Sequence, residues 1–256
     1  MTGTRLQQAI VLTDPVSQAT ESADRLYFGA EFCCWALPAL EELQRAVDLA
    51  RQLERSFSLL LPVFSEPFLP RLTKVLRHLL PLFQHGDEVV VSDLGGIQQV
   101  REIDSSVELV IGRALSGQKR GPRILDLDLA AGELNYFRQG SWYNNEAVDW
   151  LREQGIERVE LDNLLQGVAP LPAPLRGSLH LPWAMVTSSR NCPFRDQGET
   201  GVCIPKCGQR FTLRSTESGA LLHQGGNTQF LENTMLPDDL GACRIDRIVR
   251  HMTLPR

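Results

Sequence analysis

Short apolar runs alternate along this chain with segments whose apolar residues recur at helical spacing. That rhythm limits the fold more than any other feature of the sequence. Arg25 to Phe32, Phe57 to Phe64, Glu88 to Asp93, Val107 to Gly112 and Ile156 to Leu161 read as strands. Between them, Ala39 to Ser56 places Leu40, Leu43, Ala46, Val47, Ala50 and Leu53 on one helical face, with Pro38 near its start. Leu69 to Gln84, a short segment through Arg101, and Asn145 to Gln154 read as further helices. Strands alternating with helices in this way predict a parallel sheet covered by helices. The strands are continuous apolar runs, as strands covered on both faces should be. No Gly-x-Gly-x-x-Gly follows the first run, so a barrel-like α/β fold is preferred to a dinucleotide fold. Functional groups then belong at the carboxyl ends of strands. Cys33, Asp93 and Arg113 fall there.

Pro170, Pro172 and Pro174 form a stiff connector. Beyond it, Leu179 to Val186 reads as one strand, Phe211 to Arg214 and Gly219 to His223 as short strands, and Arg244 to Met252 as a returning strand. The expected organisation is a β/α barrel-like domain over residues 1–178. A Cys-rich loop with closing strands over 179–256 packs on the same domain.

Six cysteines are present. Cys192, Cys203 and Cys207 lie in a glycine- and proline-rich stretch without apolar periodicity, spaced C-x10-C-x3-C. Such a stretch cannot pack a core by itself, and thiolates holding a metal would fix it. Cys33 is the fourth candidate, although on spacing Cys34 or Cys243 could take its place. Cys34 and Cys243 otherwise read as small buried hydrophobes. Four thiolates suit an iron–sulfur cluster and also zinc. Only one close Cys pair is present, which disfavours a zinc knuckle. Pro193 follows Cys192, and Pro205 sits inside the second pair. Arg190, Arg195, Lys206 and Arg210 surround the thiols. They either offset the charge of a cluster and hold a carboxylate substrate, or are solvated loop residues.

Other candidates have equally plain structural readings. Asp93 is either a substrate group or a helix cap. His180 either moves a proton or is a satisfied core histidine. Together Asp93, Arg113, His180 and Arg190 are the substrate-binding candidates. Gly225-Gly226-Asn227 is a turn, since no Lys-Ser/Thr follows it. The net charge of −5 argues against a nucleic-acid partner. No apolar run reaches membrane-spanning length. The segment Met1 to Asp14 lacks a signal-peptide pattern, so a cytoplasmic location is expected, where thiols favour metal or redox roles over disulfides. Gly-x-Ser-x-Gly and His-Glu-x-x-His are absent, which argues against a serine hydrolase or zinc protease.

Five signposts occur in a telling order: Tyr27-Phe-Gly-Ala-Glu-Phe-Cys33, Val91-Ser-Asp-Leu-Gly95, Gly112-Arg-Ala-Leu115, His180-Leu-Pro followed by Ser-Ser-Arg-Asn-Cys192, and the late Cys203-x3-Cys207. In this order they resemble the peptidase U32 family over roughly residues 25 to 250. Within it they resemble the UbiV-like subgroup of oxygen-independent ubiquinone biosynthesis. Ala30 precedes Glu31 where that subgroup has the Glu one position earlier, and Arg113 stands where it has His. The resemblance implies a barrel-like β/α fold and a [4Fe–4S] cluster on Cys33, Cys192, Cys203 and Cys207. It implies a subunit of an oxygen-independent hydroxylase acting on a ubiquinone precursor or its lipid carrier, paired with a related UbiU-like subunit as a heterodimer. Prephenate is the hydroxyl donor it suggests. Other relatives hydroxylate RNA bases, and the family name implies peptidase activity. A zinc-stapled, non-catalytic scaffold is the alternative of a different class.

Overall fold

The structure is a computed structural model that describes residues 5–15, 23–195, 202–204, 207–214 and 219–255. Eight parallel strands close a barrel: β1 (Gln7–Val11), β2 (Arg25–Gly29), β3 (Ser56–Leu61), β4 (Glu88–Val91), β5 (Glu108–Ile111), β6 (Arg158–Asp162), β7 (Arg176–Leu181) and β12 (Ile245–His251). The last strand lies between β1 and β7, with Gln7 opposite Arg247 and Gly177 opposite Ile245. Helices α1 (Leu40–Gln52), α2 (Leu69–Leu79), α3 (Leu94–Arg101) and α5 (Asn145–Glu153) cover the barrel between β2 and β6; a short helix, α4 (Ala131–Phe137), precedes α5. The expected α/β barrel is the architecture found.

Local sequence explains these elements. The Glu42 carboxylate accepts the Ala39 N–H at the start of α1 (2.8 Å), and Asn144 Oδ1 accepts the Ala147 N–H at the start of α5 (2.8 Å). Leu43, Ala46, Val47 and Ala50 of α1 and Leu72, Val75, Leu76 and Leu79 of α2 are buried. They pack with the outward strand residues Phe57, Leu59, Leu61, Val89 and Val91 into the main core. Strand alternation turns the other set inward. There Ala9, Tyr27, Leu60, Val90, Val110 and Val249 make a second, smaller core in the lumen.

The lumen is not apolar throughout. The Glu88 carboxylate is buried and accepts from Arg247 Nη1 at 2.5 Å and Ser58 Oγ at 2.7 Å. Glu160 accepts from the Tyr27 hydroxyl at 2.9 Å. Burial pushes Glu88 up, but Arg247 and Arg25 outweigh it and hold Glu88 at about 2.

The insertion between β7 and β12 forms an antiparallel sheet of β8 (Trp183–Ser188), β9 (Phe211–Arg214), β10 (Leu221–Gly225) and β11 (Thr228–Glu232), in the order β8-β11-β10-β9. The single strand expected over 179–186 is therefore two strands in two sheets. Pro182 has no N–H for a ladder, and the chain leaves the barrel there. The expected boundary after residue 178 falls inside β7, and β12 from beyond it completes the barrel. No helix among the described residues is long and apolar enough to cross a membrane.

Candidate metal centre and the barrel mouth

Cys33 lies in the loop after β2. Cys192, Cys203 and Cys207 lie between β8 and β9. The structure brings all four to one cavity of about 260 Å³ at the carboxyl end of the barrel. Its remaining walls include Phe32, Trp35 and Phe64, with Arg190 and Arg195 also in the lining. No carboxylate or imidazole lines it among the described residues. Sulfur is thus the metal-donor chemistry present, and it suits a thiophilic centre. No three of these sulfurs lie within 4.8 Å of one another among the described residues.

Burial pushes the Cys33 thiol up to about 11, against the pull of the Ala36 and Trp35 amides; Cys34 and Cys207 add to the rise. A thiol in that setting gives up its proton when a cation takes its place. Cys34 also borders the cavity but is buried in the main core, and burial raises its pKa. Cys243 precedes β12, at the opposite end of the barrel, where its Sγ faces the Val168 carbonyl at 3.7 Å. That position removes it from the thiol set. Lys206 and Pro205 lie outside the described residues. Arg210 lies instead on a neighbouring cavity, with Nη2 3.4 Å from Thr253 Oγ1.

Two side chains that sequence reasoning missed hold the thiol loops in place. Asn227 Nδ2 donates to the carbonyls of Phe32 and Ser189, both at 3.0 Å. One side chain in the β10–β11 turn therefore ties the residue before Cys33 to the strand end leading to Cys192. Phe32 packs edge-on to Phe230 (centroids 5.6 Å apart), with the Arg113 guanidinium 5.3 Å from its ring centroid. A turn Asn preceded by two glycines is the only sequence signal for the first; the second has none.

Arg113 follows β5 and is fully buried. Its guanidinium makes a two-pronged contact with Glu31 (2.9 and 2.5 Å), and also donates to Asp162 (3.0 Å) and the Trp183 carbonyl (2.8 Å). Burial pushes Asp162 up, but Arg120 and Arg113 hold it below the usual carboxylate range. With every prong engaged, Arg113 is a buried strut between the barrel and the added sheet. Asp93 caps α3, its carboxylate accepting the Gly95 N–H at 2.9 Å. Arg190 is exposed beside the thiols.

His180 is buried in the lumen. Its Nε2 meets the Glu160 carboxylate and its Nδ1 lies 2.7 Å from His251 Nε2. Burial, then Arg113 and His180, hold His251 well below the usual histidine value, so it is neutral. Gly29, just before the site, has φ of +140° and would place a Cβ 2.2 Å from the Leu60 carbonyl oxygen. Only glycine lets β2 turn into the Glu31–Cys33 loop this close to β3.

No protein-family model matches the chain, and no curated protein matches it. A solved structure described as that of the U32 peptidase Mk0906 is similar, with a TM-score of 0.50 at 12% identity, over 100% of this chain and 96% of that one. At so low an identity the likeness is one of architecture, and the chain shares the barrel fold of a U32 peptidase along its whole length.

Proposed function

We propose that Cys33, Cys192, Cys203 and Cys207 hold a [4Fe–4S] cluster, and that the chain serves oxygen-independent hydroxylation of a ubiquinone precursor as one half of a heterodimer with a related barrel subunit. The observation that carries the cluster is the meeting of four thiols, from two distant segments, on one cavity that no carboxylate or imidazole lines among the described residues. Arg190 and Arg195 line the same cavity and offset the negative charge of a thiolate-bound cluster. The hydroxylation reading rests on the order of signposts from Tyr27 to Cys207 and on the barrel they share with the U32 fold. When bound, the cluster supplies one-electron chemistry, with prephenate as the proposed source of the hydroxyl group. The chain's own part is to present the cluster through Cys33 and the late loop, on apolar walls made by Phe32, Trp35 and Phe64.

An anaerobic pull-down with metal analysis tests both halves. The expected product is brown, absorbs near about 400 nm by thiolate-to-iron charge transfer, contains iron and sulfide, and brings a second barrel subunit with it. Alanine at Cys33, Cys192, Cys203 or Cys207 should abolish iron retention, while Cys34→Ala and Cys243→Ala should keep it. A colourless protein with stoichiometric zinc would replace this reading with that of a stapled scaffold.

A further inference from the structure

Beside the thiol cavity the barrel mouth holds a second one, of about 500 Å³, lined among others by Glu31 and His251. Neither residue has a part in the thiol centre. Glu31 follows β2, His180 lies in β7 and His251 ends β12, so three strand ends far apart in sequence converge here. One donor atom from each of the three lies within 4.8 Å of the others, and all three residues are buried.

We propose that Glu31, His180 and His251 form a binding site for one divalent first-row transition-metal ion, open toward this second cavity. Two imidazoles and one carboxylate are the donor set that iron(II) takes in non-haem sites, with further positions left for ligands. The tautomers agree with it. The Glu160 carboxylate accepts from His180 Nε2, so His180 Nδ1 carries the lone pair. That lone pair faces His251 Nε2 at 2.7 Å. An ion between the rings replaces this hydrogen bond: His251 keeps its own proton on Nδ1, and the two nitrogens move slightly apart to make metal–nitrogen bonds of about 2.1 Å.

The surroundings hold the ligands as metal sites usually do. Glu160 fixes the His180 ring from behind, and Arg113 fixes Glu31 with two bonds. Arg113 and Arg120 are together matched by Glu31 and Asp162, and Glu160 adds a negative charge behind His180. The second cavity supplies the entry path and the room for an exogenous ligand on the ion. Its imidazole and carboxylate donors are harder than the neighbouring thiols, so the two sites would discriminate between metals.

Manganese(II) is the suitable probe, because it prefers nitrogen and oxygen donors to thiolates. The full chain, stripped with a chelator under reducing conditions, is titrated with Mn(II) and followed by electron paramagnetic resonance. The expected result is one Mn(II) per chain showing 14N coupling from imidazole in pulsed spectra. His251→Ala should weaken that binding by about tenfold or more, with the thermal midpoint showing that the variant is folded. Glu31→Gln should do the same while keeping side-chain size. Binding without nitrogen coupling, no binding at millimolar Mn(II), or binding unchanged in folded His251→Ala would reduce the pair to a plain N–H···N hydrogen bond and overturn the proposal. The wild-type nitrogen coupling decides the matter even if a variant fails to fold. Iron content in the thiol cavity is measured separately, so either reading can fail alone.

Discussion

The thiol cavity and the buried network around Arg113 adjoin at the same mouth of the barrel, yet they are held by different means. The polar groups of the network come mostly from strand ends and the turns just beyond them. Ladders on both sides set their positions before any ligand arrives. Three of the four thiols come from a segment between two strands of the small sheet, and Cys207 is exposed. Asn227 and the packing of Phe32 link the loop bearing Cys33 to the small sheet beside this segment. The first arrangement is pre-organised by the sheet, whereas the second, on the proposed reading, would be completed by the centre it holds.

The contrast can be broken at either side. Arg113→Met should have the largest effect on folding. It leaves Glu31 and Asp162 buried without their cation, and removing one partner of such a network costs about 3–5 kcal/mol. Urea unfolding measures this, and a loss below 1 kcal/mol would show the network to be dispensable. Acid should act next, and on the barrel alone. Glu88 has its folded value lowered from 4.5 to about 2, so its contribution is complete above pH 4.5 and is lost as pH falls through about 2. That loss is on the order of 3 kcal/mol, read from unfolding curves across this range. Glu88→Gln should flatten the dependence. The smallest effect on folding belongs to Cys207→Ala, which should shift stability by no more than about 0.5 kcal/mol in the metal-free chain while abolishing iron retention. A large loss of metal-free stability there would mean that the loop is as fixed as the barrel.

Much of this division was legible in the sequence. Helical spacing marked α1, α2 and α5, and apolar runs marked β2 to β6, because burial on both faces leaves a long signature. The thiols stood out because nothing apolar surrounds the late three. Other elements left weaker traces. β1 is five residues long and begins Gln7-Gln8, and β11 reads Thr-Gln-Phe-Leu-Glu, so neither forms an unbroken apolar run. α4 buries no residue. Arg158-Val-Glu-Leu-Asp162 carries three charges, which are matched by residues far away in sequence: Arg158 by Asp246, Glu160 by Arg247 and Asp162 by Arg113. Pairings of that kind have no local signal. Asp93 had two readings, and the cap at Gly95 is the one its geometry displays. The Glu31–His180–His251 cluster was the least visible, since its members gain meaning only when three strand ends meet.

The placement of β12 has a consequence for how the protein matures. Gln7 and Arg247 are side-chain partners 240 positions apart, and the sheet cannot close into a ring until the strand bearing Arg247 has been synthesised. Cys33 emerges from the ribosome early, while the segment bearing its three companions emerges late. That thiol waits without its set while the barrel strands from β3 to β7 are made. A centre held as proposed above would therefore be delivered late in the life of the chain, alongside ring closure.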